Sequence, residues 1–119
     1  MDDLVAWLRV QLDEDERTAL AASPGPWSVN AESDEVLAVD GVTVAEGFAL
    51  SGGQLRATTE HIAEHDPARV LREVEALRRI VDRYAWLREH GDTGGTAWVL
   101  PLLALPYADR PGYREEWRP

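Results

Sequence analysis

The chain contains no cysteine and no lysine in its 119 residues. Without cysteine there can be no disulfide, no thiol nucleophile and no cysteine-ligated zinc or iron–sulfur site. Without lysine there is no P-loop lysine for a nucleotide phosphate, no Schiff base and no lysine general base. All twelve basic residues are arginine, set against twenty-two carboxylates, and the formal charge is −10. That balance argues against nucleic acid or an anionic membrane as partner, because both are held by basic surface. Long apolar runs are also missing, so no segment is expected to span a bilayer. Met1-Asp2-Asp3 opens the chain without the basic and apolar regions of a signal peptide, and the expectation is a cytoplasmic protein. The four serines fall in loops or strands outside any nucleophile-elbow context, so no catalytic residue is assigned and no cofactor is expected.

What the chain does have is one long helical pattern, Asp66 to His90. Asp66 can cap the first turn, and Pro67 fits the first helical position, where its missing N–H is not needed. Val70, Val74, Leu77, Val81 and Tyr84 recur at alternating spacings of four and three, and Leu71, Ile80 and Leu87 widen the seam. Gly91 ends the helix. Residues 1–65 hold thirteen acids and three arginines, whereas 66–90 hold five acids and six arginines. The arginines of the central helix are therefore expected to face acidic neighbours inside the fold.

The remaining elements arrange themselves around that helix. Residues 1–23 read as an N-terminal helix with Leu4, Leu8 and Leu12 in register, stopped by Ser23-Pro24-Gly25-Pro26. Its acidic run, Asp13 to Glu16, diverges around the helix and reads as solvated surface. Residues 27–46 carry the period of short strands, with a hairpin around Asp40-Gly41 predicted to use a type I′ turn. Residues 54–90 are a short helix followed by the central one, and 97–119 are an apolar segment with an aromatic tail. The predicted fold is one α+β domain over 1–119. Its small antiparallel sheet packs on the long central helix, flanked by the N-terminal helix and sealed by a C-terminal docking segment. If part of the central seam stays uncovered, a homodimer through that helix follows.

Three groups of residues are candidate sites. Leu50-Ser51-Gly52-Gly53-Gln54 matches the signature loop of ATP-binding-cassette ATPases, but the P-loop and its lysine are missing, so it reads as a glycine-rich connection. His61 and His65 stand four apart on one helical face beside Asp66, a donor set that suits a transition metal, without the H-E-x-x-H glutamate or a further ligand. Tyr107, Tyr113 and Trp117 either dock on their own domain or, with Trp86, form a partner epitope, since Trp, Tyr and Arg dominate interface hot spots.

Two stretches, His61-Ile62-Ala63-Glu64-His65-Asp66-Pro67-Ala68-Arg69-Val70-Leu71-Arg72-Glu73-Val74-Glu75-Ala76 and Leu103-Ala104-Leu105-Pro106-Tyr107-Ala108-Asp109 through Trp117-Arg118-Pro119, join Met1-Asp2-Asp3-Leu4 and Gly25-Pro26-Trp27. Together they resemble a family of small uncharacterised proteins of actinobacteria and their phages. The resemblance implies a host and carries over no activity and no site residue. The functional expectation is a non-enzymatic cytoplasmic accessory protein that binds an unknown protein partner. The alternatives are a metal-binding protein or metal-dependent enzyme using His61 and His65, and an acidic mimic of nucleic acid.

Overall fold

The computed structural model describes residues 2–91 and 97–119. Four helices, α1 (Asp2–Ala21), α2 (Gly52–Glu64), α3 (Pro67–Glu89) and α4 (Val99–Ala104), accompany three short strands, β1 (Ser28–Val29), β2 (Glu35–Leu37) and β3 (Thr43–Glu46). This is the α+β class that the alternation of periods predicts. The chain divides into two compact units, Met1–Glu14 with Val74–Pro119, and Asp15–Glu73. Both α1 and α3 pass from one unit into the other.

The first unit begins with the i,i+4 ladder Leu4, Leu8, Leu12, which is fully buried. Arg9 pairs with Asp82 at 3.0 Å and Asp13 with Arg78 at 2.7 Å. One step of four forward along α1 thus meets one step of four back along α3, so the two segments run antiparallel. Val74 and Val81 of α3 are buried in the same unit. The acidic run of α1 is partly engaged, since Glu14 also approaches Arg110 at 3.8 Å. In α4 the proline, Pro101, is the third residue, where the first-turn N–H has no intrahelical acceptor to lose.

The C-terminal segment closes this unit on Trp7. The rings of Tyr107, Tyr113 and Trp117 lie 6.5, 5.6 and 5.5 Å from the Trp7 ring, centroid to centroid. The Trp7 indole N–H donates to the Pro111 carbonyl at 3.1 Å. Arg114 reaches Asp3 at 3.1 Å, fastening the segment to the start of α1. Gly112 passes over the indole with φ +88°, and a Cβ there would come within 2.8 Å of Trp7 Nε1. Left-handed backbone and close approach both require glycine at this position.

The second unit holds the sheet, in the order β1-β2-β3 with both pairs antiparallel. Asn30 builds the first connection: its side-chain oxygen accepts the amides of Asp34 and Glu35, both at 3.0 Å. The second connection differs from the type I′ turn predicted around Asp40-Gly41. Gly41 N–H donates to Ala38 at 2.9 Å and Ala38 N–H to Val42 at 2.8 Å, so the loop is three residues long. A type I′ turn needs positive φ at two successive positions, and only Gly41, at +87°, has it here. The extra residue is absorbed by a register shift in the β2–β3 pairing at Val36/Leu37.

β1 and β2 lie against α2. The apolar seam of the sequence predicts the long helix in that place. α2 offers the sheet its buried Thr59 and Ala63, and the Thr59 hydroxyl donates to the Ser33 carbonyl at 2.9 Å. With only Leu55 and Ile62 as large apolar residues, α2 looks the weaker helix in the sequence, and the broader seam of α3 looks the better cover for a sheet. Of that seam, Val74 and Val81 are buried, Val70, Leu71, Leu77, Tyr84 and Leu87 are half-buried, and Ile80 is 38% exposed.

Candidate functional site

Where α2 ends and α3 begins, the chain turns at His65-Asp66. Glu60, Ala63 and Glu64 share one face of α2, by the i,i+3 and i,i+4 rule, and Asp66, Arg69 and Arg72 follow at steps of three along the start of α3. With Trp27, Ser28 and Val29 from β1 these residues line an open cleft of about 330 Å³. All of it belongs to the second unit.

Asp66 sets its frame. The residue is buried, its Oδ1 accepts the Arg69 amide at 2.8 Å, and its Oδ2 accepts the Trp27 amide at 2.8 Å. The first bond is the N-cap that the Asp66-Pro67 pair predicts. The second clamps the start of β1 to the start of α3, and no local pattern in the sequence announces it. Gly25 permits the approach, since a Cβ there would meet the Ala68 Cβ at 2.8 Å and Asp66 Oδ2 at 3.0 Å. Around this frame the charges are unevenly used. Arg69 is held by Glu73 at 2.9 Å, whereas Arg72, Glu60 and Glu64 are exposed and form no ion pair among the described residues.

The predicted metal set does not assemble. The His61 and His65 rings stand 4.3 Å apart, but His65 Nδ1 lies 2.7 Å from the His61 carbonyl and so closes the helix end. Asp66, the third member, has each oxygen committed to a backbone amide. Among the described residues no group of three or more His, Asp or Glu side chains is placed to hold an ion. Ser51, from the ATPase-like letters, precedes α2 in extended conformation and its hydroxyl makes no cap bond.

The aromatic candidates separate into two kinds. Tyr107 and Trp117 are buried and Tyr113 is half-buried, all against Trp7, so these three are core of their own chain and do not form a free epitope. Trp7 itself was missed. The signal was there in Asp3, Trp7 and Gln11, a second i,i+4 row beside the leucine ladder. Trp86 is 47% exposed, with the Arg83 guanidinium 5.0 Å from its centroid and the His90 ring stacked at 4.0 Å. Beyond it the sequence reading overlooked Trp98, Leu102 and Leu105. Backbone dihedrals at Trp98, Ala104 and Leu105 are all helical, so spacings of four and three put these side chains on one stripe. They are 65%, 46% and 39% exposed, while Leu100 and Ala104 on the other side are buried.

No helix among the described residues is long and apolar enough to cross a membrane. No curated protein and no solved structure matches the chain. A family model does, over residues 1–119, and the chain accordingly belongs to a family of unknown function, DUF6221.

Proposed function

We propose that the chain is a non-enzymatic accessory protein that acts by docking on a basic protein partner, in the cytoplasm of an actinobacterium or of a cell its phage infects. The observation that carries this reading is the stripe Trp98, Leu102, Leu105, a helical face that is apolar and turned outward in the first unit. An apolar face on a short helix whose other side is already buried is the form that helix-face recognition takes. Trp86, stacked on His90 and with the Arg83 guanidinium over its ring, extends the exposed aromatic surface of the same unit.

The sign of the partner follows from charge. Arg9, Arg78 and Arg114 are occupied by the chain's own carboxylates, so the net −10 is carried outward as unneutralised acid. Such a surface steers basic partners and repels acidic ones. The absence of lysine and cysteine from the sequence supports binding over turnover.

Affinity capture on the immobilised chain from an actinobacterial lysate, followed by reconstitution with the purified captured protein, tests the reading. A basic protein that binds more weakly at high salt is expected, with affinity at least about tenfold lower for Leu102→Asp, a loss of the size that hot-spot truncation produces. Equal binding by Leu102→Asp, or a captured protein whose binding ignores salt, would overturn it.

A further inference from the structure

The cleft at the α2–α3 turn carries an inference of a different kind, independent of any protein partner. Its charges come in two opposite sets that leave one another unpaired: Glu60 and Glu64 from α2, and Arg72 beside Arg69 from α3. Exposed carboxylates and a guanidinium gathered on one small cleft would ordinarily join if their geometry allowed. Here they stay apart, with Trp27, Val29 and Ala63 among the residues that line the cleft between β1 and α2. A simple anion would be drawn by Arg72 and repelled by the two glutamates, and a simple cation would meet the reverse. Only a ligand with both charges satisfies both sets.

We infer that this cleft binds a small zwitterion with an apolar body, a free α-amino acid being the simplest member of the class. The ammonium goes to Glu60 and Glu64, the carboxylate to Arg72, and the side chain lies on Trp27 and Val29. A volume of about 330 Å³ is at the small end of the range for ligand pockets and suits a molecule of that size. The walls are prepared in advance, because Asp66 ties β1 to α3 through two 2.8 Å bonds and so spares the ligand the cost of ordering them. Asp66 itself is a positioning residue, each of its oxygens holding a backbone amide of the cleft wall.

Amide NMR titration of the full chain with L-phenylalanine, phenylalaninamide, N-acetylphenylalanine and inorganic phosphate tests the assignment. The amino acid is expected to shift the amides of Ser28, Val29 and Ala63 saturably. Each derivative that lacks one charge, and each of Arg72→Ala and Glu64→Gln, should weaken binding by about tenfold or more, the usual loss when a charge-assisted contact is removed. Arg56→Ala, on α2 outside the cleft, should bind as the wild type does. The derivatives need no variant, so a folding defect cannot mimic the result. Absence of saturable shifts at about 20 mM, a concentration above any useful affinity, would overturn the proposal. So would indifference to N-acetylation or to Arg72→Ala, or phosphate binding as tight as the amino acid's.

Discussion

At the residue scale, two positions hold more of the structure than their size suggests. Asp66 satisfies two backbone amides from separate elements at 2.8 Å each. Replacing it with alanine removes an N-cap, worth about 1 kcal/mol, and leaves the Trp27 amide unpaired, worth about 1–3 kcal/mol. Chemical denaturation of Asp66→Ala should therefore show a loss of about 2–4 kcal/mol. Asp66→Asn should fall between it and the wild type, because its single carbonyl oxygen can serve only one of the two amides well. Gly112 is the second position. At Gly41, φ is +87° but nothing lies within 4 Å, so Gly41→Ala carries only the left-handed penalty of about 1–2 kcal/mol. Gly112→Ala adds a collision with the Trp7 indole, and its melting temperature should drop further than that of Gly41→Ala. Half of Asp66's role was legible, because a cap is local and the adjacent proline marks it. The bond to Trp27 spans 39 residues and leaves no mark in either neighbourhood.

At the scale of elements, the hairpin and the closing segment make contrasting predictions. Glu35 and Glu46 are directly opposed across β2 and β3, a like-charge pair that costs rather than contributes. Glu46→Arg should raise stability by about 0.2–1 kcal/mol, the range for cross-strand pairs. The gain should shrink as salt is added; a gain unchanged by salt would mean the two carboxylates do not sense each other. In the closing segment, the hydrogen bond from Arg118, helped by its charge, holds the Glu115 carboxyl below its ordinary value. A carboxyl with depressed folded-state pKa contributes stability above its unfolded pKa and loses it as pH falls through the folded one. Carboxyl-carbon NMR should find Glu115 titrating more acidic than a free glutamate, and returning to that value in Arg118→Ala. Helices were the readable elements, because period, cap and proline agree over many residues in α1 and α3. Strands were legible in existence but not in turn type, since an Asp-Gly pair serves a three-residue loop as readily as a two-residue one. Which helix the sheet would use was not legible at all, because both α2 and α3 present apolar faces and only the tertiary arrangement chooses.

At the scale of the whole molecule, charge and closure set the behaviour. With −10 on 119 residues, self-repulsion opposes the folded state, while the exposed ion pairs such as Arg79–Glu75 contribute little each. Repulsion should win, so adding about 0.2 M salt, which shortens the screening length to under about 10 Å, is expected to raise the melting temperature. A fall would assign more to the surface pairs than their exposure supports. The aromatic tail was visible in the sequence as something other than a disordered end, yet its destination was not, because Trp7 lies a hundred residues upstream inside a helix already explained by its leucines. That closure supports the functional proposal made above, since a tail packed on its own core leaves the outward stripe of α4 as the larger apolar surface of its unit. Nuclear Overhauser contacts between the Trp7 ring and the rings of Tyr113 and Trp117 measure it most directly. Strong cross-peaks with tail shifts displaced by ring currents are predicted, given centroid separations of 5.6 and 5.5 Å. No cross-peaks, with Tyr113 and Trp117 at random-coil shifts, would contradict the closure and return the tail to solvent as an epitope.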